Sequence, residues 1–236
     1  MTAASSPTLD SAWVDASVRE IHPGYTAALF VAHHLTPGPT TDASDALLAL
    51  AEASAQSILA GREPHELPEV QAWREAFAGF GVKPREARSS VEALLRRAAA
   101  GLPRIDRLTD AYNAVSVMGL VPIGGEDLTG YRGPARLVVA AGDESFDTIA
   151  DGQPTMQTPI PGEIVWRDDI GVTCRRWNWR QCLRTRLTGA TTDALFIIDG
   201  LGPDSRARAE SAAVELMGIL AAGSPAATFT TRTLAD

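Results

Sequence analysis

Apolar positions recur along the chain at two different periods, and the change falls near Met118. Leu47, Leu50, Ala51, Ser54, Ala55, Ile58 and Leu59 stand three and four apart, which predicts a helix capped by Asp42 and closed by Gly61. Val70, Trp73, Phe77 and Phe80 form the stripe of a second helix, opened by Pro68 and ended by Gly79 and Gly81. Ser89 and Glu92 read as the capping box of a third, with Val91, Leu94, Leu95 and Ala98 inward. Asp106 caps a fourth, whose buried face is Leu108, Ala111, Tyr112 and Val115. A last helix is predicted over 206–222, with Ala209, Ala213, Leu216, Met217 and Leu220 on one side. Val14, Ala16 and Val18 alternate with polar residues as on a half-buried strand, and the unbroken apolar run from Tyr25 to Leu35 predicts a central strand. Beyond Met118, short β-like runs at 120–123, 137–141, 164–166 and 195–198 are punctuated by Gly and Pro, and 227–234 alternates like a returning strand. Helices early and strands late predict an α+β fold, a mixed and largely antiparallel sheet with several helices packed on it. Residues 1–10, small and polar, are expected to be a flexible tail, and 11–236 a single domain.

Composition removes several classes. No stretch of about twenty apolar residues is present, so no membrane span is predicted. Met1–Asp10 has neither a basic region nor an apolar core, which argues against a secretory signal and for the cytoplasm, with Cys174 and Cys182 as reduced thiols. Neither these cysteines nor His22, His33, His34 and His65 fall at a metal-ligand spacing, so no metal is expected, and no cofactor.

The net charge of −8 disfavours a generic nucleic-acid surface, but its distribution is uneven. Residues 174–186 hold five arginines and no acid; this +5 leaves −13 on the remainder. Lys83 is the only lysine, and Arg makes planar, bidentate and stacking contacts that Lys cannot.

Three segments are candidates for chemistry. Thr109, Asn113 and Ser116 form a polar stripe beside the apolar one of their helix, suited to line a pocket or to face solvent. Gly124 and Gly125 allow backbone to approach a ligand or another chain segment, and Glu126 and Asp127 follow, suited to orient an amine or a ribose hydroxyl or to sit exposed in a turn. If 174–181 is extended, Arg175, Trp177 and Trp179 point one way and Cys174, Arg176, Asn178 and Arg180 the other. That gives an aromatic platform opposite a fork of guanidinium groups, or a cation–π ladder that stiffens the sheet. Cys174, beside Arg175 and Arg176, has the setting for a lowered thiol pKa, although no histidine partner is evident at the level of motifs. No phosphate loop and no Gly-x-Ser-x-Gly elbow is present.

The run from Leu108 to Leu128 resembles the central segment of the tRNA-binding and editing module of the phenylalanyl-tRNA synthetase β subunit, the B-three/B-four domain. Asp110, Asn113, Pro122, Asp127 and Leu128 match its helix and the Gly-x-Pro-Leu-His-Ala-Phe-Asp-Leu stretch after it, and 191–195 looks like its Thr-x-Asn-x-Leu strand. The similarity, over about 70–200, is closer still to freestanding relatives with an Asn-Ala-Val-Ser helix, a Gly-Gly-Glu-Asp turn and a Cys-Arg-Arg-Trp-Asn-Trp-Arg segment. The module is α+β and hydrolyses tRNA(Phe) mischarged with tyrosine. The resemblance therefore implies a tRNA-linked role, with proofreading in trans as its hydrolytic form and the charged 3′ end of tRNA as partner. The departures are specific: the family's His aligns with Gly124, and its acid falls on Ile197, with Asp199 two residues on. No catalytic residue is assigned on this basis. In the tRNA reading Asn113 and Ser116 bind the polar part of the aminoacyl group, Glu126 or Asp127 its ammonium, Trp177 or Trp179 stack, and Arg176 and Arg180 hold phosphate or carboxylate. The alternatives are a non-catalytic binder of an amino acid or related metabolite, and a protein-interaction domain using the Arg/Trp face.

Overall fold

The computed structural model describes residues 7–235. The chain order is α1 (Pro7–Asp10), β1 (Trp13–Val14), α2 (Ala16–Ile21), β2 (Thr26–His33), α3 (Asp42–Leu59), a single 3-10 turn (Pro64–Glu66), α4 (Pro68–Gly79), α5 (Ser90–Ala98) and α6 (Arg107–Gly119). Then follow β3 (Ile123–Asp127), β4 (Arg136–Val139), β5 (Phe146–Ala150), β6 (Gln153–Gln157), β7 (Ile164–Arg167), β8 (Val172–Arg175), β9 (Arg180–Gln181), β10 (Ala194–Gly200), α7 (Ser205–Gly223) and β11 (Thr228–Leu234).

The fold is α+β, with two principal sheets where the sequence suggests one. An antiparallel sheet runs β11-β2-β10-β3, a mixed one runs β1-β4-β7-β8-β9, and β5-β6 is a separate hairpin. β2 is central because both its faces are covered, which is why its sequence is apolar without alternation. Leu29 and Val31 join a core shared with Leu137 and Trp166 of the mixed sheet and Trp177 of the turn after β8. Phe30 and Ala32 face a second core with Val115 of α6 and Leu216 of α7. The same two-sided burial accounts for α6, whose Leu108 and Val115 enter one core and Ala114 and Val117 the other.

The helical expectations are met with shifted caps. Thr41, not Asp42, caps α3, its hydroxyl accepting from Ser44 N. Ser89 caps α5, but the Glu92 carboxylate does not close a box. It is fully buried and takes Arg74 through two bonds, 2.6 and 2.9 Å, and Arg96 at 3.0 Å. Val14 to Val18 is not one strand: Asp15 caps α2 at this point, accepting from Ser17 N at 2.8 Å, so only Trp13–Val14 pairs. The expected tail is partly wrong as well, because 7–10 form a helical turn with Leu9 fully buried; residues 1–6 lie outside the described residues. Gly124 and Gly125 belong to strand β3 rather than to a turn.

A cationic cleft between α6 and the β8–β9 hairpin

Residues 174–181 are not extended. β8 ends at Arg175, and Arg176 and Trp177 turn the chain in left-handed conformations, φ +47° and +66°, before β9 returns with Arg175 opposite Arg180. Such φ values cost a residue with a Cβ about 1–2 kcal/mol, so burial on either side must hold them. Trp177 supplies part of it: its ring is fully buried, edge-on to Tyr25, His22 and Trp73 at 4.9, 5.0 and 5.3 Å, and its backbone N–H donates to Ile164 O at 2.6 Å. Glu163 supplies the rest. Its buried carboxylate accepts Arg175 Nε and Nη2 at 2.9 and 2.7 Å and the Arg176 backbone N–H at 2.9 Å. The platform and fork expected of a flat strand therefore do not exist. Trp179 alone stays half-buried, with the guanidinium carbons of Arg176 and Arg180 each 4.4 Å from its ring centroid.

The turn leaves a cavity of about 280 Å³ between α5, α6, β3 and the hairpin. Thr109 and Asn113 of the polar stripe, Gly124, Cys174, Asn178, Trp179 and Arg180 line it, together with residues not read as site candidates: Arg97, Tyr112 and Gln181. None of its lining residues is acidic or a histidine. Arg97 and Arg180 are exposed, and neither has an ion pair among the described residues. Spacing foreshadows this for Arg97: Arg96 is four residues after Glu92 and pairs with it, whereas Arg97 is four after Ala93. Asn113 is about nine-tenths buried, and its carboxamide has no partner among the described residues. Asn178 donates to Asp199 Oδ2 at 3.4 Å while its own Oδ1 is buried without a partner. Asp199 also accepts from Tyr25 Oη at 2.5 Å and Trp166 Nε1 at 3.2 Å; burial pushes it up to about 6 against these bonds.

The remaining sequence candidates lie elsewhere. Ser116 is fully buried and donates to Val121 O at 2.6 Å, closing the end of α6. Gly125 faces another chain segment, since a Cβ there would stand 2.6 Å from Leu187 Cδ1. Asp127 accepts from Thr191 Oγ1 at 2.5 Å and from Thr129 N at 2.8 Å. Glu126 is buried against the Thr185 hydroxyl. Arg176 and Trp177 are turned to Trp179 and to the core. Asp110, the buried acid of the motif helix, accepts from Ile105 N at 2.9 Å and Thr40 Oγ1 at 2.7 Å, and so fixes the loop whose Pro103 and Ile105 form the cavity rim. Cys174 is not activated: burial first, then the Glu126 and Asp199 carboxylates, push its thiol well above the usual range, and the neighbouring arginine Arg175 is spent on Glu163. Among the described residues no cluster of His, Cys, Asp and Glu is placed to hold a metal, and no helix is long and apolar enough to cross a membrane.

Glu126 makes a measurable prediction. Burial pushes its carboxyl up to about 8. The folded chain then keeps this proton from an ordinary carboxylate pKa up to about 8 while the unfolded chain has lost it, so stability falls as pH rises through that window, by at most about 1.4 kcal/mol per pH unit. Glu126→Gln removes this dependence. In urea melts its stability relative to wild type should rise steadily from pH 5 to 8; a constant difference would mean that Glu126 is ionised in the fold.

An α+β fold with a carboxylate-free, arginine-rimmed cleft is the class of structure at hand. The chain belongs to the B3/4 domain family, whose model matches residues 72–215, more than half of its length and all of the cavity lining. No curated protein matches it. A crystal structure of an N-terminal fragment of the phenylalanyl-tRNA synthetase β-subunit from Pyrococcus horikoshii is similar at 13% identity and a TM-score of 0.49, over 99% of this chain and 57% of that one. The chain thus spans less than two thirds of that fragment.

Proposed function

We propose that the cleft receives the aminoacylated 3′ end of a tRNA. The observation that carries this reading is the cavity itself: about 280 Å³, without a carboxylate in its lining, with the exposed guanidinium groups of Arg97 and Arg180, outside any ion pair among the described residues, at its rim. Membership of the B3/4 family and the likeness of 108–128 to the synthetase editing module support the choice of ligand. Leu94, Ile105 and Tyr112 offer an apolar wall to the amino-acid side chain, and the free carboxamide of Asn113 meets its polar end. Glu126 and Asp127, whose carboxylates are taken by threonines, do not serve the ammonium. Arg97 and Arg180 attract phosphate.

For hydrolysis the lining offers no general base, since it holds no histidine or carboxylate and the Cys174 thiol stays protonated. In the hydrolytic form of the reading, water attacks the ester carbonyl and the bond from carbonyl carbon to ribose oxygen breaks. One water proton goes to that oxygen and the other to solvent as the amino acid leaves as a carboxylate. The substrate's neighbouring ribose hydroxyl assists where a side chain would otherwise act.

Two measurements test this. Charged tRNA should bind more tightly than the same tRNA uncharged, with affinity falling steeply as salt rises. A panel of mischarged tRNAs should lose their amino acid faster than in buffer for at least one pairing. Binding that ignores tRNA, with thermal stabilisation by a free amino acid, would replace this reading with that of a metabolite binder. Binding without accelerated deacylation would leave a carrier of the charged end and remove the hydrolase.

A further inference from the structure

Of the five arginines in 174–186, three are consumed inside the fold. Arg175 and Arg176 face Glu163, and Arg184 makes two bonds to the buried carboxylate of Asp168, 2.7 and 3.0 Å. Arg180 and Arg186 are left exposed without an ion pair among the described residues. They are not scattered. Arg180 and Gln181 separate the cavity from a second, open groove of about 380 Å³, which Arg186, Leu183, Thr148 and Ile149 complete. Arg186 is anchored by a β-bridge to Glu126, so its backbone stays with β3 while its side chain stays in solvent. Ile149, on the β5–β6 hairpin, is 44% exposed and lines the same groove as the two arginines. Among the described residues no acid lines the groove; Asp147, next to Thr148 in the hairpin, accepts from the Arg184 backbone N–H at 2.7 Å.

We propose that this groove is a nucleotide subsite: Arg180 and Arg186 hold the phosphodiester next to the terminal nucleoside, and the adjoining base lies against Ile149. The assignment rests on the reading of the cavity as the seat of the charged end. Guanidinium forks match phosphate oxygens, and the exposed Ile149 side chain offers apolar contact to a base; continuity with the cavity through Arg180 favours a nucleotide over a peptide added at the β9 edge. Arg180 stands at both openings and so joins the two sites into one path for a single-stranded 3′ end.

The test compares two stable ligands on the whole chain at low salt: adenosine carrying an amide-linked amino acid at its 3′ position and no phosphate, and the trinucleotide CCA carrying the same group. The trinucleotide should bind at least tenfold tighter. Arg186→Ala should weaken the trinucleotide about tenfold, the scale of one charged hydrogen bond, and leave the nucleoside unchanged. The trinucleotide's salt slope should drop by about 0.7, one phosphate on a single strand. If the nucleoside binds and the trinucleotide is no tighter, or if Arg186→Ala weakens both ligands alike, the subsite is wrong while the cavity reading stands. If neither ligand binds wild type, the cavity reading fails and the subsite with it.

Discussion

Trp177→Ala should lower the unfolding free energy by about 3–5 kcal/mol, the cost of truncating a large buried aromatic side chain. That is a large part of the 5–15 kcal/mol typical of a domain. The side chain is fully enclosed, and three rings meet it edge-on at 4.9–5.3 Å. The truncation leaves a void between the α2–β2 connection, α4 and the hairpin, and it does nothing to relieve the left-handed backbone at φ +66°. The companion substitution Trp179→Ala should cost far less stability, because that ring is only half-buried and loses chiefly its contacts with Arg176 and Arg180. Chemical denaturation of both variants separates the two roles. Equal losses, or a loss below 1 kcal/mol for Trp177→Ala, would contradict the placement of Trp177 in the core.

The second large effect is on binding. The double substitution Arg97→Ala with Arg180→Ala should weaken charged tRNA by a hundredfold or more, since each charged hydrogen bond is worth about 1.5–3 kcal/mol. Both side chains are exposed and outside any ion pair among the described residues, so stability should change little. Arg176→Ala is the matched control. Its charge sits beside Glu163 and Trp179, away from the cavity, so it should alter affinity much less. Charge removal that acts equally at all three positions would point to a diffuse electrostatic attraction instead of a built cleft.

Much of the fold was legible because long periodic segments bury a defined stripe. The helices α3 to α7, the central β2 and the returning β11 all follow from apolar spacing. Two errors share a cause: local chemistry overrode periodicity. The Asp15 cap converted an alternating run into a helix start, and two left-handed residues folded a would-be strand into a hairpin. The candidate site was half legible. Asn113 and Arg180 were readable as polar groups in suggestive places, and the structure sets both around one cavity. Glu126, Asp127 and Ser116 looked equally suggestive, but each meets a partner that only the folded chain brings near: Thr185, Thr191 and the Val121 carbonyl. Arg97 escaped notice because what matters there is a missing partner. Net charge behaved in the same way: of five clustered arginines, three act as internal struts and two have no ion pair among the described residues, a division set by Glu163 and Asp168.

The side-chain amide of Asn113 gives the most direct test of the cleft, because it is nearly buried, has no partner among the described residues and lies on the cavity wall. Titration of isotope-labelled protein with the trinucleotide CCA carrying a 3′-aminoacylamide should shift the Asn113 amide and the Arg97 and Arg180 guanidinium signals, and leave those of Arg107 and Ser224 in place. The latter two line a separate cavity of about 330 Å³ between α3, α6 and α7. Shifts confined to that second cavity, or none at millimolar ligand, would contradict the account.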